Sequence, residues 1–185
     1  MQIHGPTNFE FAYGHTRFIA LDAAPGEAGA TAIETSDGTS GPDEAALEFL
    51  AQSLERASEP HRVVLMHIPP HFGGRYAPHP EWGFNVREQE FLDLARRHDV
   101  KLVCCAHALL FDHHVHHGTH FVVSGGGGSG ICSHLRGVCA PGEGAPEDRG
   151  ALFHAVEITM TEDGDISGRV LQAFDPVDAH ARLHF

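Results

Sequence analysis

The sequence predicts an α/β domain, a mixed β-sheet with crossover helices and C-terminal β-hairpins. Two short runs, Val63–Met66 and Leu102–Cys105, are apolar on both faces, which is typical of strands inside a covered sheet. A helical pattern precedes each run, and strand pairs with turn residues follow the second. With 185 residues, 42% of them hydrophobic, we expect one domain over residues 1–185.

Charge and hydropathy exclude several classes of partner. The formal net charge is -13 and Lys101 is the only lysine, so a nucleic-acid partner is not expected. No run of eighteen apolar residues occurs, and the opening MQIHGPTNFEF lacks the basic and apolar regions of a signal peptide. We therefore expect a soluble, cytoplasmic protein without a membrane partner.

The first half of the chain predicts a hairpin and then a helix. Phe9–Asp22 reads as a β-hairpin that turns at Gly14-His15, and its second limb is apolar enough for a central strand. The stretch from Ala23 to Gly41 has no apolar periodicity and reads as a loop. Pro42 opens a helix with acidic residues at its start and leucines at helical spacing: Asp43, Glu44, Leu47, Leu50 and Leu54.

The second half predicts another helix and two more hairpins. The helix runs from about Val86 to His98, with basic residues at its end. The segment from Leu110 to Ser124 alternates as a hairpin that turns at His117-Gly118. The last hairpin joins FHAVEITM to a strand from Asp165 to Phe174, through a turn at Asp163-Gly164.

Each buried strand leads directly into a histidine. Val63–Met66 precedes His67, and the second strand precedes His107. Because functional groups of such sheets gather at the carboxyl ends of the strands, we expect His67 and His107 to meet at one edge, close enough for one divalent ion to bridge them.

Four segments, in this order, resemble the C-terminal half of the calcineurin-like metallophosphoesterases, which include purple acid phosphatases and cyclic-nucleotide phosphodiesterases. They are GPTNFEFAYGHTRFIALD, LEFLAQSLERA, VVLMHIPP, and CAHALLFD followed by GTHFVVSGGGG. The resemblance covers nearly the whole chain. It implies the second half of an α/β sandwich and a metal-dependent phosphoester hydrolase, in which two ions activate a water.

The resemblance also implies an incomplete set of metal ligands. In the family, the D-x-H, G-D-x-x-D and G-N-H-D/E blocks precede the histidine of the fourth block, and none of the three occurs ahead of His67 in this sequence. His67 matches the lone histidine of the fourth block, and His107 matches the first histidine of the fifth block, G-H-x-H. Ala106 replaces the glycine of that block, and Leu109 replaces its second histidine. The implied Zn, Mn or Fe is therefore bound weakly or not at all.

The remaining histidines have a functional and a plain interpretation. His71 and His79 follow His67 in a loop, where the resemblance places groups that contact substrate, so either is a candidate general acid; loop histidines are more often simply exposed. On the hairpin before Ser124, alternation places His114 and His116 on one face, as possible extra metal ligands. A solvated, histidine-rich hairpin is the plain alternative.

Three functions remain open. The first is a phosphoesterase that acts on a small phosphate ester and receives ligands from another polypeptide, a second copy or a rewired set of histidines. The second is a catalytically degenerate binding or assembly module. The third is a truncated member recruited to a non-hydrolytic reaction, with histidines as acid and base. In each case we expect a homo-oligomer, or a partner that supplies the missing N-terminal half, because the sheet would otherwise leave an apolar face uncovered.

Overall fold

The computed structural model of the chain describes residues 6–23, 40–70, 83–84, 86–107, 111–127 and 154–172. Two helices and eight strands lie in these ranges. The helices are α1 (Glu44–Arg56) and α2 (Glu88–Arg97). The strands are β1 (Phe9–Tyr13), β2 (Thr16–Ala20), β3 (His61–Leu65), β4 (Leu102–Cys105), β5 (Phe111–His116), β6 (Thr119–Ser124), β7 (His154–Met160) and β8 (Ile166–Gln172).

The strands form a six-stranded mixed sheet and a separate two-stranded hairpin. The sheet has the order β1-β2-β3-β4-β6-β5, and the hairpin pairs β7 with β8. Strands β2, β3, β4 and β6 run parallel, whereas β1 and β5 are antiparallel strands at the two edges of the described sheet, joined to their neighbours by short turns. The predicted fold class, a mixed sheet with crossover helices and C-terminal hairpins, is confirmed.

Both predicted helices form, close to the expected bounds. Asp43 is the N-cap of α1, and its carboxylate accepts a hydrogen bond from the Ala46 N–H at 2.7 Å. Helix α2 begins at Glu88, two positions after the predicted start. Arg87, its N-cap, has a left-handed backbone (φ 55°) and therefore cannot belong to the helix. Within the described ranges, no helix is both long and apolar enough to cross a membrane.

Each face of the sheet has its own apolar core. Helices α1 and α2 cover one face, where Ile19, Val64, Val103 and Phe121 pack against helical residues such as Leu50. These strand residues are at most 2% exposed, which explains why the strands read as apolar on both faces. We call this surface the helix face.

The β7–β8 hairpin covers part of the opposite face, which we call the hairpin face. Val63, Leu102 and Val122 of the sheet pack there against Val170 of β8. A polar contact fastens the turn of this hairpin, because Nε2 of the buried His61 lies 2.7 Å from the backbone oxygen of Glu162.

The turn of the hairpin depends on Gly164, which has a left-handed backbone (φ 86°). A Cβ at this position would lie 3.1 Å from Cε1 and 3.2 Å from Nδ1 of His61. Gly118, in the β5–β6 turn, has the same φ, but a Cβ there would meet nothing within 4 Å. A comparison of alanine substitutions at the two glycines therefore separates the cost of backbone strain from the cost of steric crowding.

We expect Gly118→Ala to lower the free energy of unfolding by about 1–2 kcal/mol, the cost of a left-handed residue with a Cβ. Gly164→Ala should cost about 1–3 kcal/mol more, because it also forces His61 to move. Urea denaturation of both variants and the parent measures the difference. Equal losses for the two variants would show that His61 does not crowd a Cβ at position 164.

Candidate functional site

The candidate site lies at the edge of the sheet where the parallel strands end. Because β3 and β4 are parallel neighbours, their carboxyl ends reach the same edge. His67 follows the end of β3 and His107 follows the end of β4. The structure thus places the two histidines side by side, as the sequence predicts.

Backbone hydrogen bonds continue past the strand ends and hold the two histidines together. The Met66 N–H donates to the Cys104 carbonyl oxygen at 3.0 Å, and the Ala106 N–H donates to the His67 carbonyl oxygen at 2.9 Å. Ala106, the residue before His107, is therefore hydrogen-bonded directly to the backbone of His67. Few backbone torsions separate the two rings, so their relative position is well defined.

The two imidazoles converge through one nitrogen each. Nδ1 of His107 lies 3.2 Å from Nε2 of His67, and the ring centroids are 5.1 Å apart at an angle of 80°. His67 is exposed and His107 is partly buried. His107 also has a positive φ of 58°, an uncommon conformation for a residue other than glycine that is more frequent at functional sites. The left-handed backbone turns the chain out of β4 at this residue.

The resemblance implies a metal centre, and the spacing of the nitrogens fits one ion. Two zinc–nitrogen bonds of about 2.1 Å at a tetrahedral angle place the nitrogens about 3.4 Å apart, close to the observed separation. A two-metal centre does not fit the described residues, because among them no three His, Cys, Asp or Glu side chains are grouped to hold a metal. The described site offers two nitrogen donors for a single ion.

Further polar residues lie at the same end of the sheet. Asp22 follows β2, and its N–H donates to Oδ1 of Asn8 at 2.6 Å. Ser124 ends β6, with its Oγ 3.2 Å from Nε2 of the buried His154. The sequence reading did not pair Ser124 with His154. The sequence contains a signal for Ser124 itself, which ends an apolar strand directly before a glycine run, but none for its contact with His154.

The other predicted site residues are not joined to the histidine pair. His71 and His79 lie outside the described residues, so their role as general acids stays a prediction. Nδ1 of His114 lies 3.4 Å from Oδ2 of Asp112, and the His116 ring packs against the His117 ring at a centroid distance of 4.2 Å. In the part of the chain that the structure describes, neither completes a three-ligand group with the pair.

Burial keeps the cysteine thiols of β4 protonated. It raises the pKa of Cys104 to about 11 and raises the pKa of Cys105 well above its usual value, the latter also through the neighbouring Cys104. A protonated thiol is a poor metal ligand and a poor nucleophile. The two residues therefore act as packing residues of β4.

No protein-family model and no curated protein matches the sequence. Solved structures do match. Purple acid phosphatase PPD1 from yellow lupin (Lupinus luteus) seeds has a TM-score of 0.63 at 14% identity, and the match covers 96% of this chain and 32% of that one. GAP50, described as the anchor in the inner membrane complex of Plasmodium, has a TM-score of 0.58 at 15% identity, with coverage of 96% and 52%.

This chain thus spans about half the length of GAP50 and about a third of the phosphatase. At such low identity the likeness concerns the fold alone. The chain shares its mixed α/β fold with part of a purple acid phosphatase, in agreement with the resemblance drawn from its motifs.

The left-handed backbone of His107 allows a test of the site's geometry. Asparagine tolerates a positive φ better than alanine does, so His107→Asn should keep about 1 kcal/mol more unfolding free energy than His107→Ala. At His67, which does not have a positive φ, asparagine should bring no such advantage. Chemical denaturation of the four variants provides the measurement, and an equal asparagine advantage at both positions would contradict the assigned conformation.

Proposed function

We propose that the chain forms part of a metal-dependent phosphoesterase site, in which His67 and His107 bind a single divalent ion, zinc, manganese or iron. The observation that carries the proposal is the 3.2 Å separation of their ring nitrogens at the carboxyl edge of a parallel sheet. Imidazole nitrogens suit zinc and iron, and the spacing fits one shared ion.

In this proposal the chain's own residues position the ion and donate protons. His67 and His107 bring one ring nitrogen each to within 3.2 Å of the other, and the hydrogen bond from the Ala106 N–H to the His67 carbonyl oxygen links the segments that carry them. When bound, the ion supplies a positive charge for a phosphate oxygen and a means of activating water. His71 and His79 are the proposed proton donors to the leaving oxygen.

The proposed site is incomplete in the residues described. Leucine at position 109 has no lone pair to donate, and the described residues contain no three-ligand group. We therefore infer that hydrolysis of a small phosphate ester needs further ligands, from undescribed residues of the chain, a second copy of it or another polypeptide. The cytoplasmic location expected from the sequence remains a prediction.

A second candidate function, an assembly module, is favoured by the edge strand β1. Phe9, Phe11 and Tyr13 alternate along this strand and are 47%, 45% and 80% exposed. Phe11 stacks on Phe18 of β2 at 5.0 Å, which places the three side chains on the hairpin face, beside the area that β7 and β8 cover. Exposed aromatic side chains on an edge strand favour association.

We propose a second copy of the chain as the partner at β1. Two β1 edges can pair antiparallel about a two-fold axis, so the same surface serves both copies. GAP50 is a fold neighbour whose described role is that of an anchor. An assembly role for this chain would need no catalysis, and the same interface could bring histidines of a second copy near the His67–His107 pair.

The metal proposal predicts about one equivalent of zinc or manganese bound at this position. The bound metal should fall by one equivalent in the His67→Asn/His107→Asn double variant, because both donors are removed. Equilibrium dialysis followed by elemental analysis measures the difference. His15→Asn is the matched control, since His15 lies in the β1–β2 turn away from the pair. Unchanged metal content in the double variant would contradict the proposed site.

The isolated chain should show little or no turnover of an aryl phosphate with added zinc, manganese or iron, because the described residues provide two of the ligands that hydrolysis requires. Release of the aryl alcohol is the readout. Robust turnover that His107→Asn abolishes would mean that undescribed residues complete the centre. Robust turnover that survives His107→Asn would place the activity elsewhere in the chain.

The assembly proposal predicts a dimer or larger oligomer by light scattering at micromolar concentration. Phe9→Thr/Tyr13→Thr should shift the mass towards a monomer, because it removes apolar surface and leaves the Phe11–Phe18 stack in place. Leu171→Thr, which removes an exposed apolar side chain from β8, serves as the control and should leave the mass unchanged. A parent chain that is monomeric and melts cooperatively would rule out β1 as a self-association surface.

A further inference from the structure

The β5–β6 hairpin carries five histidines, and its register decides which of them meet. His113 pairs opposite Val122, and Val115 pairs opposite His120. Val122 packs on the hairpin face, so alternation places both His113 and His120 on that face, at diagonal positions of neighbouring strands. His114 stacks instead on Phe121, whose ring belongs to the helix-face core.

The two diagonal histidines converge as closely as the pair at the strand ends. Nε2 of His113 lies 3.1 Å from Nδ1 of His120, with ring centroids 5.2 Å apart. Both side chains are partly buried. A direct hydrogen bond between the rings requires a proton on one of the two nitrogens. A metal ion requires a lone pair on both, at nearly the same separation.

We propose that His113 and His120 form a second metal site, which binds one borderline divalent cation such as Zn²⁺, Ni²⁺ or Cu²⁺ between His113 Nε2 and His120 Nδ1. Neutral imidazole prefers cations of this class over Mg²⁺ and Ca²⁺, which prefer oxygen ligands. Both ring nitrogens of histidine serve as metal ligands in proteins. Water or a small exchangeable ligand fills the remaining coordination positions, because no three-ligand group occurs among the described residues.

The protonation of the pair supports metal binding near neutral pH. Burial lowers the pKa of both histidines, and the neighbouring His120 and His114 lower that of His113 further, against a smaller opposing effect of Asp112. Two imidazolium ions would also repel each other at this distance. Both shifts favour the neutral rings, which are the form that binds a cation.

This second site is separate from the His67–His107 pair. His120 pairs with Leu102 at the start of β4, whereas His107 follows the end of that strand. From His120 to the end of β6 at Ser124 the chain advances about 13 Å, at roughly 3.3 Å per residue. One ion cannot contact both pairs, so this inference stands whether or not the proposed phosphoesterase site is correct.

An ion at the second site would connect β5 to β6 through side chains as well as through the backbone ladder. Since β5 is an edge strand of the described sheet, it has a single neighbouring strand there. A cation that binds the folded pair and not the unfolded chain stabilises the fold through its binding free energy. Metal binding should therefore raise the melting temperature of the chain.

The experiment uses the full chain with His67→Asn/His107→Asn, so that the first site is absent. Zn²⁺ is added in modest excess near pH 7.5, and imidazole nitrogens are followed by long-range ¹H–¹⁵N NMR. The chemical shifts of His113 Nε2 and His120 Nδ1 should both move to values typical of metal-bound nitrogen, and the melting temperature should rise. Mg²⁺ should produce neither effect.

The matched variants are His113→Gln and His116→Gln in the same background. His116 lies on the same strand but alternates to the helix face, so its loss should leave the shifts of His113 and His120 and the melting increment unchanged. His113→Gln should abolish the increment and release His120 Nδ1. The proposal is overturned if Zn²⁺ leaves the shifts of the two nitrogens unchanged, or if His113→Gln retains the full increment while His116→Gln loses it. His120→Gln repeats the test should His113→Gln fail to fold.

Discussion

The parallel pairing of β3 with β4 determines where the chemistry of this chain can take place. Because both strands run in the same direction, the residues that follow them leave the sheet at one edge, and the backbone ladder continues far enough to bond Ala106 to His67. The two imidazoles are therefore brought together by main-chain geometry. A sheet with these strands antiparallel would place the same histidines at opposite edges.

The two faces of the sheet differ in how completely they are covered. The helix face is a continuous apolar core beneath α1 and α2, with side chains that are essentially inaccessible. The hairpin face is covered by β7 and β8, which are held at one end by His61 and at the other by the hydrogen bond from the His154 N–H to the Gly126 carbonyl. Beside this cover, the aromatic side chains of β1 remain exposed.

Most of the fold followed from local patterns in the sequence. The strands β3 and β4 were recognisable because burial on both faces requires continuous apolar runs, and the hairpins because Gly14, Gly118 and Gly164 accept a positive φ in tight turns. The meeting of His67 and His107 followed from strand direction. The pairing of Ser124 with His154 did not, because it depends on how the last hairpin docks on the sheet, which is a tertiary contact without a local pattern.

The contact within the histidine-rich hairpin, β5 and β6, was only partly predictable from the sequence. Alternation separated His113 from His114 and His116, but the close contact between His113 and His120 also needs the register, which the two-residue turn at His117 and Gly118 sets. Both turn residues have a positive φ, as a type I′ turn requires. The sequence predicts the position of this turn correctly, but not the side-chain contact that its register brings about.

This turn also limits how the chain can change in length. Surface turns normally accept insertions and deletions with little effect, and an exposed hairpin tip is where related proteins commonly differ in length. One residue added within β5 would exchange its faces, turning His114 towards the β7–β8 side and His113 towards the helices. In evolution, or in a designed library, this strand should therefore accept changes of two residues more readily than changes of one.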